Sequence, residues 1–457
     1  MKALGYMRMT ALLLAALCCL QFAACARPAA TANETPTFET VACSEDGATT
    51  EETPSETVNE VQKKLDEYSL MRGIVASSAP LRSPDNAFYD AQFDLACALF
   101  KACVNEGKGQ NTLVSPLSVL IALAMTANGA RGQTLSEMEE VLGGGMPIGQ
   151  LNDYLNTYLY MLSPGKNSDF AIADSIWFKD DGSFEADRDF LQLNADIYDA
   201  QIYKRVFDNQ TVDLINEWCD LNTDGMIPKI IEELDPDTAM ILLNAICFEA
   251  KWREVYADGQ VYDGEFTAQD GSTTRVEFMH SVEDVYLDGG NAVGFKRPYA
   301  GGHYSFVALR PNDDVDVYDY IASLDGETLR GIMKNTEPVG VYAAIPKFDA
   351  EYSVSLSKVL SDLGMPTAFD PTLADFSGLG SSSAGNLCIG GVAHKTFIKV
   401  DENGTKAAAV TDVTVPEECE PFEPEEYKTV TLDRPFVYMI VNNGTNLPVF
   451  IGVQTDV

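Results

Sequence analysis

Between Val400 and Pro416 the chain reads Val-Asp-Glu-Asn-Gly-Thr-Lys-Ala-Ala-Ala-Val-Thr-Asp-Val-Thr-Val-Pro. Taken with a period of two, Thr405, Ala407, Ala409, Thr411, Val413 and Val415 share one face, and Lys406, Ala408, Val410, Asp412 and Thr414 share the other. Both charges from Thr405 onward therefore fall on one side, as a central strand requires when one face meets a core and the other meets water. Yet the run opens on Glu-Asn-Gly, and Ala407 to Ala409 offers weak strand propensity and little side chain to pack. The segment can enter a sheet without being obliged to stay there. Gly404 would be its pivot, and an ordinary strand or an alanine-rich helical turn would satisfy the same letters.

A fold that hosts such a segment needs a large sheet, and the rest of the sequence supplies one. Phe88, Phe93, Leu95, Leu99 and Phe100 recur at helical spacing, and Pro116 to Asn128 is a nearly all-apolar helix opened by Ser115 and Pro116. A polar helix from Thr134 to Leu142 stops at Gly143-Gly144-Gly145. Strands are expected at Ala171 to Phe178, Ala239 to Phe248, Ser305 to Arg310, Val339 to Ile345 and Phe436 to Val441, all rich in β-branched, aromatic or aliphatic residues. Helices come first and strands crowd the second half, which favours an α+β fold with a large, mainly antiparallel sheet over a doubly wound one.

The chain's start has a different character. A short basic opening (Lys2, Arg8), an apolar run from Ala11 to Leu20 and the exit Phe22-Ala23-Ala24-Cys25 read as an export signal over residues 1–24, too short to span a bilayer. Phe-Ala-Ala-Cys resembles a bacterial lipobox, which implies cleavage before Cys25 and lipid attachment to its thiol. From Ala26 to about Glu56 the residues are mainly Thr, Glu, Ala and Pro. A polar helix-like patch (Val58 to Met71) and a loose stretch with Pro80 and Pro84 follow, so 25–85 is expected to be an acidic, disordered tether and 86–457 the folded body.

Charge and cysteine use narrow the function. Lys and Arg total 31 against 69 Asp and Glu. The resulting negative field disfavours nucleic acid and anionic membrane surfaces, and attracts basic partners. Membrane contact is expected only through the lipid anchor, and the body is expected to be a monomer. Cys43, Cys97, Cys103, Cys219, Cys247, Cys388 and Cys419 form no CxxC or Cys/His zinc spacing, and read as free, mostly buried thiols. Only three histidines exist, His280, His303 and His394, and no GxSxG, HExxH or GxxxxGK[ST] motif is present. Ser355-Leu356-Ser357-Lys358 matches SxxK but lacks the companion SDN and KTG motifs. No enzyme, metal or cofactor is expected.

Several blocks, in order, resemble the serpin family over roughly residues 86–457. They are Asn111-Thr-Leu-Val-Ser115-Pro116-Leu117-Ser118, Asn128-Gly-Ala-Arg-Gly-Gln-Thr134, Leu243-Asn244-Ala-Ile-Cys-Phe248-Glu249-Ala250-Lys251-Trp252, Ile345-Pro-Lys-Phe348, Leu363-Gly-Met365, Ala374-Asp-Phe-Ser-Gly378, His394-Lys395 and Asp433-Arg-Pro-Phe436. Glu249 and Ala250 depart from the usual Lys-Gly. The resemblance implies a helix-rich N-terminal region, a large central sheet, smaller sheets and an exposed reactive-centre loop at about 402–430. It further implies a suicide inhibitor of serine endopeptidases, with cysteine endopeptidases as the second class, which traps its target when the cut loop inserts into the sheet. A serpin-fold binding protein that is merely cleaved is the alternative.

By residue matching, Glu402, Gly404, Thr405, Ala407, Ala408 and Ala409 resemble the inhibitory hinge. Ser115, Ser118, Asn244 and His394 resemble the polar cluster that controls strand opening, and Trp252 the aromatic at the first insertion point. The family's usual spacing from Glu402 places the cut between Glu418 and Cys419, implying a glutamyl-directed target. Counting back from Pro435 moves it towards Phe422 or Glu423. Glu417, Glu418, Glu420, Glu423, Glu425 and Glu426 around it would favour a cationic protease.

Overall fold

The computed structural model describes residues 54–162, 170–235, 238–383, 385–405 and 427–457. The 1–24 signal, Cys25, Cys43, Ala407, Ala408, Ala409, Glu418 and Cys419 lie outside the described residues.

The expected elements form where the periodicity puts them. The first helix runs Asn86–Glu106, and the apolar one runs Pro116–Ala127, with the Ser115 hydroxyl accepting from the Ser118 N–H and proline in the first turn. The polar helix spans Gly132–Gly143 and ends on Gly144 at φ 60°, a left-handed cap that glycine adopts without penalty. The five expected strands are Phe170–Lys179, Met240–Phe248, Tyr304–Pro311, Gly340–Pro346 and Phe436–Asn442.

Three larger sheets organise the described residues. One, of seven strands, includes in order Gln201–Arg205, Phe170–Lys179, Met240–Phe248 and Gly391–Val400, with Phe348–Ser355 paired to the last. Most of its ladders are antiparallel, but two are parallel: Phe170–Lys179 with Gln201–Arg205 at the edge, and, at the centre, Met240–Phe248 with Gly391–Val400, from Gly391 opposite Ile241 to Phe397 opposite Cys247. A seven-stranded antiparallel sheet containing Tyr304–Pro311 and Phe436–Asn442, and a four-stranded sheet of Tyr427–Thr431, Gly340–Pro346, Thr273–Glu283 and Val261–Thr267, complete the body.

The large sheet separates two cores. Along Met240–Phe248, Leu242, Ile246 and Phe248 face the main cluster, which holds Val119, Leu120 and Leu123 of the fully buried helix Pro116–Ala127. Ile241, Leu243 and Ala245 face a second cluster with Leu214, Ile215 and Trp218 of the helix Asn209–Asn222. Strand residues alternate faces, so both sides of this strand are apolar and it must be central.

The expectation of a disordered tether up to residue 85 is corrected by the structure. Pro54–Tyr68 is a helix, and Val61 and Leu65 are buried in the second cluster against the helix Asn209–Asn222. Lys64 pairs with Glu217 at 3.1 Å, and Arg205 lies 4.5 Å from the centre of the Tyr68 ring. Beyond it Leu70 N–H donates to Ile202 O, Ser77 N–H to Asp196 and Arg82 N–H to the Thr157 hydroxyl, tying the strip to the body. The polar average of this stretch concealed an apolar stripe at positions 61, 65 and 68, four and three residues apart. Within the range 402–430 expected to be loop, Gly404–Thr405 and Tyr427–Thr431 are strands.

Leu65, 1% exposed, gives a direct check on this correction. Leu65→Ala is expected to cost about 2–3 kcal/mol in urea denaturation, as a buried leucine should, whereas a tether residue would cost nothing.

Candidate functional site

Two polar assemblies lie along the parallel pair Met240–Phe248 and Gly391–Val400. The lower one sits under the middle of the sheet. His394 lies opposite Asn244 in the ladder, and Asn244 opposite Asp174 on Phe170–Lys179, so three neighbouring strands present one polar row to the start of the helix Pro116–Ala127. His394 Nε2 accepts from the Ser115 N–H at 3.1 Å, while Nδ1 donates to the Asn244 side-chain carbonyl. Asn244 Nδ2 donates to Ser118 Oγ and to Asp174 Oδ1, and Ser118 Oγ donates to that same carboxyl oxygen at 3.3 Å. Thr396 Oγ1 extends the row by donating to Leu113 O at 2.8 Å.

Burial sets the protonation of this row. Desolvation lowers the His394 pKa to about 3, so the ring is neutral and can accept through Nε2. Asp174 is pushed up to about 8, chiefly by desolvation, with the bonds from Asn244 and Ser118 opposing. Its Oδ2 is shut off from water and has no hydrogen-bond partner. At neutral pH the row is therefore mostly uncharged, with one carboxyl oxygen unsatisfied. Such a row ties strands together without the cost of a buried ion, but it would tolerate ionisation poorly.

The upper assembly holds the segment expected to be a hinge. After Val400 the chain turns at Asp401–Asn403, and Gly404–Thr405 returns between two strand ends: Thr405 opposes Val400 and Ala250, and Gly404 opposes Lys251. The approach is close enough that a Cβ on Gly404 would stand 2.1 Å from Ala250 O, so glycine is required there. Trp252 fixes the turn, its indole N–H donating to Asp401 O at 2.8 Å and its backbone N–H to Asn403 O at 2.9 Å. Tyr256 N–H donates to Glu402 O, and the Glu402 carboxylate pairs with Lys347 at 2.8 Å, which holds its pKa below the usual range. Thr405 is fully buried, with its hydroxyl 2.7 Å from Tyr299 Oη. Tyr299 stacks on Trp252 at 4.5 Å, and the buried Arg297, paired with Glu283, lies over the Trp252 and Tyr256 rings.

Of the residues singled out from sequence, Ser115, Ser118, Asn244 and His394 thus form one network, and Glu402, Gly404, Thr405 and Trp252 meet at the sheet's upper end. Trp252 makes no part of the lower network. Lys358 of the SxxK match is exposed and paired with Asp362 and Glu106, which raise its pKa and favour its charged form. Cys97, Cys103, Cys219, Cys247 and Cys388 are free thiols, and no metal-binding group of side chains occurs among the described residues.

Sequence reasoning missed Asp174, Tyr299 and Lys347. Asp174 did leave a signal: it is an acid inside the apolar run Phe170-Ala-Ile-Ala-Asp-Ser-Ile-Trp-Phe178. The other two reach the hinge only through tertiary packing.

Comparison with known proteins places this geometry. The family model described as Serpin (serine protease inhibitor) matches residues 90–457. The chain is similar to an uncharacterized serpin-like protein of Thermococcus kodakarensis, 31% identical over 80% of this chain and 84% of that one. It is also similar to Serpin B8 of Homo sapiens, 30% identical over 79% and 97% respectively. The crystal structure of tengpin, a thermophilic serpin, in its native state superposes with a TM-score of 0.80 at 44% identity, covering 85% of this chain and 99% of that one.

The lower row makes a pH prediction with a definite sign. Asp174, raised from 3.8 to about 8, binds its proton more tightly folded than unfolded, so its contribution is complete below about pH 4 and lost as pH rises to about 8. His394, lowered from 6.5 to about 3, contributes fully above pH 6.5 and less as pH falls towards 3. The two slopes oppose between pH 4 and 6.5, leaving Asp174 alone to act from pH 6.5 to 8. Asp174→Asn is expected to gain about 1–2 kcal/mol on wild type across that upper window in denaturant titrations. A difference independent of pH would contradict the assignment.

Proposed function

The chain belongs to the serpin family, and on that premise we propose that it inhibits serine endopeptidases, and secondarily cysteine endopeptidases, as a suicide substrate. One observation carries this reading: Gly404 and Thr405 already lie between Val400 and Ala250–Lys251, just beyond the ends of the two strands that would have to part. Thr405 opposes Val400, so each further residue moves one position down Gly391–Val400 in an antiparallel register. Ala407 would oppose Ile398, Ala409 would oppose Thr396, and Thr411 would arrive between His394 and Asn244. Val400, Ile398, Thr396, His394 and Val392 are all buried. The uncharged face from Thr405 to Val413 would therefore point into the core, with Lys406 and Asp412 on the other side.

The chemistry follows from that register. The protease's nucleophile attacks the loop carbonyl before the cut bond, the new amine leaves, and the loop's first half stays joined to the protease as an acyl-enzyme. Freed at one end, that half can insert. Insertion replaces one parallel ladder by two antiparallel ones, adding backbone hydrogen bonds that the intact loop cannot make, and serpin loop insertion is an established case of such a switch. Small inward side chains at Ala407 and Ala409 give the least obstruction, so insertion can outrun deacylation. On the family's spacing the cut lies between Glu418 and Cys419, and the acidic flanks favour a cationic or glutamyl-directed protease.

We place the protein outside the bacterial cell, exported by residues 1–24 and held at the membrane's outer face by lipid on Cys25, or released from it. Among the described residues no helix is long and apolar enough to cross a membrane.

The test is incubation of the mature protein with elastase-like, trypsin-like and glutamyl-directed proteases, followed by denaturing gels and mass spectrometry. A stable adduct with the loop's first half is expected, and its mass locates the cut. Thr405→Arg puts a charge where Thr405 meets Tyr299, and is expected to turn most of the adduct into free, cleaved product. Cleavage by every protease with no adduct from the wild type would leave only the binding-protein alternative.

A further inference from the structure

The four-stranded sheet that begins where the loop ends turns an unusual face outward. In its ladders Tyr342 opposes both Val282 and Thr429, Ala344 opposes His280, and Tyr262 opposes Phe278. Side chains alternate across a sheet, so Tyr427, Thr429, Tyr342, Val282, His280 and Tyr262 lie on one face. None of these six is an acid, a lysine or an arginine, in a chain with 69 acidic residues. Tyr262 is 54% exposed, Val282 53%, Tyr342 52% and Tyr427 39%.

The rings are already ordered. Tyr262 stacks on His280 with centroids 3.8 Å apart, and Tyr342 on Tyr427 at 4.8 Å. Partial burial lowers the His280 pKa, which keeps that ring neutral near pH 7. Rigid tyrosines at the centre of an uncharged patch are the residue type that dominates binding energy at protein interfaces, because they offer large area at little entropic cost.

Position identifies what would cover them. Tyr427 is at once part of the patch and the first described residue after the loop. Glu418 is nine residues before it, so even a fully extended chain keeps the cut bond within about 30 Å of the patch. A protease domain of about 200 residues is roughly 40 Å across. A protease gripping the loop therefore has its body within reach of this face. The sequence just before Tyr427 is acidic, which suits a partner whose apolar surface is bordered by basic groups.

We propose that the outward face bearing Tyr262, Val282, Tyr342 and Tyr427 docks the body of the protease whose cleft holds the loop, through an apolar surface edged with basic side chains. The proposal rests on the loop being a protease target, and deepens that reading by assigning a second contact. Selectivity would then come from two places, the loop sequence read by the cleft and the tyrosine face read by the protease's flank.

The test measures loop engagement, counted as adduct plus cleaved product, with whichever of the three proteases named above cuts the loop fastest. Tyr262→Ala with Tyr342→Ala is expected to slow engagement tenfold or more, and Val282→Glu to slow it comparably, with melting temperatures close to wild type. The ratio of adduct to cleaved product is expected to stay unchanged, because insertion is untouched. Engagement within twofold of wild type in both variants overturns the docking surface. Loss of adduct in the wild type, with engagement still sensitive to the tyrosines, would sink the trapping reading and leave the docking surface standing. Sedimentation that finds a wild-type dimer abolished by the same substitutions would assign the face to a second copy of the chain, and also overturns the proposal.

Discussion

The hydrogen bond from His394 to Asn244 closes the seam on which the large sheet depends. It spans the parallel pair at the sheet's centre, and parallel pairing is the less stable per residue. Seven register pairs from Gly391–Ile241 to Phe397–Cys247 hold that seam. The side-chain row fastens its middle to the buried helix Pro116–Ala127 through the Ser115 backbone and Ser118 hydroxyl. Because the imidazole is neutral and Asp174 mostly protonated, the row can be broken and re-formed without stranding a full charge in the core. An ion pair in the same place would make opening far costlier.

Above the seam, the hinge is held by contacts of a different kind. Trp252 grips the turn through backbone carbonyls, while Lys347 and Tyr299 hold Glu402 and Thr405 through side chains. Backbone gripping is indifferent to sequence, but the Gly404 position is not, since any Cβ would strike Ala250 O. The sheet is thus propped at its upper end and fastened at its centre. On the proposed mechanism, cutting the loop releases its far end, and insertion then has to break the central fastening. The second core adds a further layer, because the helices Pro54–Tyr68 and Asn209–Asn222 lie over the face of the sheet away from His394.

Much of this was legible before any coordinates. Helix Pro116–Ala127 is announced by Ser115-Pro116 and an unbroken apolar run, and the strands by their aliphatic and aromatic content, because local period and local structure share one cause. The serpin-like blocks fixed the order in which these elements pack. What stayed hidden needed either tertiary neighbours or a weak signal taken seriously. Tyr299 and Lys347 are ordinary in sequence and matter only because the sheet tops converge on them. Asp174 was passed over as a polar letter in a strand, and Leu65 as one apolar letter in a polar stretch.

The central claim is a register, and the crystal structure of the loop-cleaved protein measures it directly. Expected is an added strand between Met240–Phe248 and Gly391–Val400, with Ala407 beside Ile398 and Thr411 standing between Asn244 and His394 in place of their hydrogen bond. A cleaved protein in which Gly391 to Phe397 still pairs with Ile241 to Cys247 would contradict it.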